Sequence, residues 1–169
     1  MRFIKQYLDD LLNGEGLRNV YFFTSCSHLC KGCFNSETAD PNMPGSRVWT
    51  EDDFLKLIED AKKSYISGIT LSGGDPFHPN NRKSILELCK NFKNYFGNSK
   101  TIWIYTGYTW ETIKKDKDER WECLKYIDVL CDGPFIEHLK SPSKPWVGSE
   151  NQRVIDVKKS LKEDRIIIL

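Results

Sequence analysis

Four short apolar runs, each closed by a loop of cysteine, glycine or aspartate, constrain this chain more than any other feature. Val20-Tyr21-Phe22-Phe23-Thr24 runs into a cysteine loop, and Ile69-Thr70-Leu71-Ser72 into Gly73-Gly74. Thr101-Ile102-Trp103-Ile104-Tyr105 is closed by Gly107, and Ile127-Asp128-Val129-Leu130-Cys131 by Asp132-Gly133-Pro134. Short apolar runs bounded by such residues read as buried strands. Between them lie helical stripes. Thr50 starts one, with Asp53 placed for a capping box and Phe54, Leu57, Ile58 and Ala61 on one face. Ile85, Leu88, Cys89, Phe92 and Phe96 form another, with Gly97 as its C-cap. Thr109 is placed to cap a short helix, Lys114 to Arg120 reads as a solvated loop or face, and Trp121 to Tyr126 reads as helical. Gln152 to Val157 and Arg165 to Leu169 are weaker strand candidates. The alternation predicts an α/β fold with a mostly parallel sheet, its special loops at the strand ends where active sites of such folds gather. A closed eight-stranded barrel typically takes about 250 residues. The 169 residues here therefore predict a single domain, 1–169, built as a partial, open parallel β/α barrel.

Composition narrows the function classes. A formal net charge of +1 gives no global attraction to nucleic acid or to an anionic membrane. No stretch approaches the roughly 18 apolar residues of a membrane span. The opening residues, Met1-Arg2-Phe3-Ile4-Lys5-Gln6, lack the apolar segment of a secretory signal, so a cytoplasmic location is expected. There is no internal repeat, no nucleotide-binding glycine fingerprint (Gly14-Glu15-Gly16 has no third glycine) and no P-loop.

The cysteine loop carries the chemistry. Cys26-Ser-His-Leu-Cys30-Lys-Gly-Cys33 places three thiols within eight residues, with no fourth cysteine nearby. Iron–sulfur clusters are normally held by four cysteines. Three leave one iron free for another ligand, and an open position is what catalytic metal sites keep. Zinc held by three cysteines and His28 is the competing reading, although a histidine inside so tight a loop is poorly placed to complete a tetrahedron. His28 reads as an exposed loop residue, and Lys31 as a solvated one. Cys89, Cys123 and Cys131 are scattered through apolar patterns and read as buried core thiols.

Ser72-Gly73-Gly74-Asp75-Pro76 is the second signal. Adjacent glycines after a strand let the backbone approach a ligand, and the carboxylate can accept hydrogen bonds from an ammonium group. Trp103, Trp110, Trp121 and Trp146 read as packing residues. Asp132 reads as either a turn residue or a site residue. Asn151-Gln152-Arg153 offers an arginine able to grip a carboxylate or a partner, or simply an exposed strand end.

Five segments occur in order: Cys26 to Asn35, Leu71 to Pro76, Trp103 to Tyr108, Asp128 to Phe135 and Gly148 to Asp156. Together they resemble the activating proteins of anaerobic (class III) ribonucleoside-triphosphate reductases, within the radical S-adenosylmethionine superfamily. The match runs from about Asn13 to Asp156, so a core of about 13–156 and a variable C-terminal tail, 157–169, are expected. The resemblance implies a partial barrel of radical S-adenosylmethionine type and a four-iron, four-sulfur cluster on Cys26, Cys30 and Cys33. It further implies S-adenosylmethionine bound against Gly32, Cys33 and Phe34, with its methionine end held by Gly73, Gly74 and Asp75. Asp75 stands where the superfamily has glutamate, and Tyr105 and Thr106 fall near the ribose or adenine. Reductive cleavage of S-adenosylmethionine would generate a glycyl radical on the large reductase subunit, with a flavodoxin-type protein donating the electron. Activases of pyruvate formate-lyase and small radical enzymes of deazapurine biosynthesis share a similar cysteine loop and are the alternatives.

Overall fold

The computed structural model, which describes residues 1–169, builds one sheet from seven strands. These are β1 (Arg2–Asp10), β2 (Arg18–Phe23), β3 (Arg47–Val48), β4 (Gly68–Gly73), β5 (Thr101–Tyr105), β6 (Val129–Asp132) and β7 (Arg153–Asp156). The order across the sheet is β3-β1-β2-β4-β5-β6-β7. The four expected strands, β2, β4, β5 and β6, form its parallel centre. Antiparallel strands flank them: β1 and then β3 on one side, β7 on the other. The sheet is therefore mixed and does not close.

Successive parallel strands are added in one direction, so right-handed crossovers carry every connecting helix to the same face. That face packs α1 (Glu51–Ala61), α2 (Arg82–Phe96), α3 (Trp110–Asp116), α4 (Glu119–Cys123) and α5 (Val157–Glu163) against Tyr21, Phe23, Leu71, Ile104, Leu130 and Ile155. The Thr50–Asp53 capping box at α1 is present, with the Asp53 carboxylate accepting the Thr50 amide at 2.8 Å and a bidentate Arg47 at 2.6 Å. Those donors hold the Asp53 carboxyl well below the usual range. Gly97 ends α2 with φ +55°, a conformation that suits glycine. Cys89, Cys123 and Cys131 are buried core thiols, as expected.

The opposite face carries no helix. Trp103, Val129, Cys131 and Val154 make a small apolar cluster there, joined by Tyr105, Trp146 and Val147. Arg18 crosses the same face in full burial. Its guanidinium donates to Thr70, Thr101, Ile69 O and Glu15 O and lies 5.2 Å from the Trp103 ring. Desolvation draws its pKa down to about 10.

Several local expectations change. β1 has no clean alternation because it is half-exposed and interrupted by two register shifts, features that blunt an edge strand. Lys114 to Arg120 is exposed at Lys115, Asp116 and Lys117, as expected, but its last residue is not solvated: Arg120 is buried, stacked 4.3 Å from the Tyr108 ring and paired with Asp116 and Asp118. Residues 157–163 form α5, capped by the Asp156 carboxylate. The expected strand at Arg165 to Leu169 shrinks to one bridge, Ile155 to Ile168.

Candidate iron–sulfur site

The loop after β2 winds around its cysteines in a regular way. Each cysteine follows a residue with positive φ: Ser25 (+78°) before Cys26, Leu29 (+49°) before Cys30 and Gly32 (+74°) before Cys33. Only one of the three is glycine, so two left-handed turns are held against their intrinsic cost. The bracing is visible. The Ser25 and Cys26 amides donate to Thr38 O and Ala39 O at 2.9 and 3.2 Å, and the Asn81 side chain donates to Thr24 O at 2.7 Å.

The Gly-Gly turn after β4 lies directly on this loop. Gly74 N–H donates to Phe23 O and Asp75 N–H to Ser25 O, both at 2.8 Å. A Cβ on Gly73 (φ +106°) would come 2.3 Å from Phe23 O, and one on Gly74 would come 2.5 Å from Ser25 O. The glycines are thus required first by the backbone of the cysteine loop.

Together these loops enclose a hollow of about 130 Å³ at the strand ends, lined by Cys26, Cys30, Cys33, Gly73, Gly74 and Phe135 among others. Tyr105 and Thr106 also line it. Through Cys33, Asn35, Ser72 and Gln152 it continues into a cavity of about 510 Å³ over the helix-free face. Tyr7, Leu12, Phe22, Phe34 and Trp146 line that larger space. Phe34 is 76% exposed at its mouth, under the Lys140 ammonium at 5.3 Å. Gly32 lies outside both cavities, turned towards Glu137.

Asp75 occupies a different position from the one its motif suggests. It is 1% exposed, lines neither cavity, and accepts hydrogen bonds from Phe77 N–H, Thr106 Oγ1, Gly107 N–H and His28 Nε2. His28 is correspondingly not the exposed loop residue expected; its side chain is 19% exposed.

The last two motifs act on each other. Asp132, fully buried, accepts Trp110 N–H at 2.7 Å and Arg153 Nε at 2.9 Å. Arg153 also grips Glu111 with two bonds, at 2.9 and 2.8 Å. Gln152 donates to Gly133 O and Asn151 to Pro134 O. The Asn-Gln-Arg segment thus clamps the Asp-Gly-Pro-Phe loop, and the carboxylates that Arg153 recognises are this chain's own. The clamp reaches the cysteines, because Phe135 and Gln152 line the same hollow as Cys30.

Burial pushes the Cys26 and Cys30 thiols up, opposed by backbone amides of His28 and Leu29 at Cys26 and of Phe135 at Cys30. Amides aimed at sulfur are among the devices that tune iron–sulfur centres. Nowhere do three His, Cys, Asp or Glu side chains converge on a point that one ion would occupy. His28 Nε2 is already committed to Asp75. The donors left are three thiols, which suits a cluster with one open iron and leaves a three-cysteine, one-histidine zinc ion without its fourth ligand.

A family model described as a 4Fe-4S single cluster domain matches residues 12–155. The anaerobic ribonucleoside-triphosphate reductase-activating protein of Enterobacteria phage T4 is 41% identical over 154 residues, covering 91% of this chain and 93% of that one. This chain belongs to that family. The reductase-activating protein of Haemophilus influenzae is 40% identical over 156 residues (90% and 96% of the two chains), and that of Escherichia coli K12 is 35% identical over 156 residues (91% and 97%). The stretch matched by the 4Fe-4S single cluster domain contains the cysteine loop, so an iron–sulfur cofactor belongs to this family's domain. Asn35 and Phe135, at the ends of segments that carry the resemblance, line the hollow although no role is read for them from sequence, and Gln152 of the Asn-Gln-Arg segment lines it with them. Tyr7 and Leu12 come from the unrecognised first strand and the turn after it, and no local signal marks them.

Proposed function

We propose that this protein activates an anaerobic ribonucleoside-triphosphate reductase by generating a glycyl radical on the reductase's large subunit. The observation that carries the reading is the junction of two spaces: a small cysteine-lined hollow opens into a larger cavity on the sheet face that no helix covers. An open half-barrel of radical S-adenosylmethionine type has this arrangement, and it leaves room for a loop of a protein substrate. Cys26, Cys30 and Cys33 would hold three irons and leave the fourth open to S-adenosylmethionine. Held there, the cluster would supply the electron for reductive cleavage of S-adenosylmethionine and with it the radical chemistry that hydrogen-atom removal from a glycine requires.

The chain's own residues bind and orient. Gly73 and Gly74 present backbone to the methionine end from the turn that Asp75 secures beneath them. Tyr105 and Thr106 flank the ribose or adenine, and Phe34 and Trp146 wall the passage by which the partner's loop enters. Gly32 turns the chain into Cys33. No acid–base pair is required, in keeping with a hollow whose lining carries no carboxylate. A flavodoxin-type protein is the proposed electron donor. The reductase is favoured over pyruvate formate-lyase as the target because the matching relatives are named for it.

The test is anaerobic reconstitution with iron and sulfide, reduction, and chromatography for 5′-deoxyadenosine, followed by electron paramagnetic resonance with the large reductase subunit. A glycyl radical on that subunit supports the reading. Zinc without sulfide, or S-adenosylmethionine left intact, refutes it, and a radical formed only on another glycyl radical enzyme reassigns the target. No helix is long and apolar enough to cross a membrane.

A further inference from the structure

We propose that His28 and Asp75 are positioning residues that peg the cysteine loop in its cluster-binding shape, and that Gly107 is glycine in order to seat the peg. The proposal rests on the cluster-binding reading of the three cysteines.

The geometry points to a socket. His28 stands midway between Cys26 and Cys30. Its neighbours Ser27 and Leu29 are exposed, so it is the one side chain between those cysteines that turns inward. Its Nε2–H donates to Asp75 Oδ2 at 2.9 Å. Its ring meets the Tyr108 ring edge-to-face, centroids 4.6 Å apart. A Cβ added to Gly107 would come 2.3 Å from His28 Cδ2. Gly107 does not have a positive φ, so what its missing side chain leaves open is the imidazole's space and not a backbone conformation. Tyr108 is backed in turn by Arg120, itself buried and doubly paired.

Asp75 is the anchor of the socket. Its carboxylate gathers donors from three segments of the chain: Phe77 N–H at 2.8 Å from its own turn, Thr106 Oγ1 at 2.9 Å and Gly107 N–H at 3.0 Å from the end of β5, and His28 from the cysteine loop. A buried carboxylate so fully engaged is a strut between loops and has no face left for a ligand. Asp75 therefore supports the Gly-Gly turn and the cysteine loop together. A loop with left-handed Ser25 and Leu29 gains its order from such contacts before any metal arrives.

The experiment uses two readouts on the full chain: amide hydrogen exchange of residues 26–30 in metal-free, reduced protein, and the rate of iron loss to a chelator from the reconstituted protein. His28→Ala and Gly107→Ala are each expected to speed both by roughly tenfold, the scale set by losing a charge-assisted hydrogen bond to a buried group. His28→Gln, whose amide N–H can take the place of Nε2–H, recovers most of the loss. Gly107→Ala adds less than twofold in the His28→Ala background, because the ring it would strike is gone. Exchange in β4 and β5 at wild-type rates checks that each variant is folded. Wild-type exchange and iron loss in His28→Ala overturn the proposal. So does an undiminished Gly107→Ala effect in the double variant, or an Asp75→Asn variant that weakens S-adenosylmethionine binding while its iron loss is unchanged. A wild-type protein that takes up zinc without sulfide instead refutes the functional reading, and the metal-free exchange data test the peg independently of it.

Discussion

Replacing Arg153 by methionine tests whether the Asn-Gln-Arg segment braces the site through Asp132. The substitution keeps most of the side chain's volume and removes its guanidinium. Asp132, 0% exposed, then loses two charge-assisted donors, Nε at 2.9 Å and Nη2 at 2.5 Å, and keeps only Trp110 N–H. Breaking a buried ion pair from one side costs about 3–5 kcal/mol. Arg153 is 29% exposed, so water reaches the vacated end and the lower figure, about 3 kcal/mol, is expected. The Glu111 pair adds little, since that carboxylate is mostly in solvent. For a chain of this length such a loss lowers Tm by roughly 6–12 °C. Urea denaturation of the metal-free, reduced protein measures it directly. Adding Asp132→Asn removes the stranded charge and leaves an amide oxygen for Trp110, so the double variant should be more stable than Arg153→Met alone by about 1 kcal/mol or more. Strictly additive losses, or a single variant within about 0.5 kcal/mol of wild type, would refute the brace. Iron retention should fall with stability, because Asp132 begins the loop whose Phe135 lines the hollow beside Cys30.

Three further outcomes follow from the same geometry. Gly73→Ala places a Cβ 2.3 Å from Phe23 O at φ +106°, where the neighbour is backbone and cannot swing aside, so unfolding should be easier by on the order of 3 kcal/mol in urea. Cys30→Ala should leave a folded protein that fails to assemble the four-iron cluster, and a variant that still reconstitutes and cleaves S-adenosylmethionine would end the ligand assignment. The Arg153 hydrogen bonds lower the Glu111 pKa from 4.5 to about 2. A depressed carboxylate contributes stability above its unfolded pKa, so this contribution is intact above about pH 4.5 and disappears as pH falls towards 2. Its exposure keeps the effect under about 1 kcal/mol, and Glu111→Gln should flatten that part of the acid titration.

Much of the site is readable from local sequence. Three thiols at C-x3-C-x2-C spacing after an apolar run announce a metal loop on a strand end, and Gly73-Gly74 announce a close backbone approach. What they approach is less readable. In sequence they suggest space for a ligand; in the fold they first admit the carbonyls of Phe23 and Ser25. Arg153 poses the same difficulty, since nothing in Asn-Gln-Arg selects Asp132 and Glu111 from the chain's 24 acidic residues.

By itself, the sequence determined the four central strands, α1 with its capping box, α2 with its C-cap glycine, and the placing of three cysteines in one loop at a strand end. Each rests on neighbours a few residues apart, where periodicity and turn chemistry act. Tertiary structure alone decided the first strand, the antiparallel direction of the edges, the burial of Arg120, and the His28–Asp75 hydrogen bond, whose partners are 47 residues apart. β1 shows the reason. Its mixed residues have no strand preference strong enough to read, and they become a strand because β2 offers a row of unpaired backbone groups beside them. A buried polar group behaves likewise: its need for a partner is local, but which partner meets it depends on how the loops at the strand ends come together.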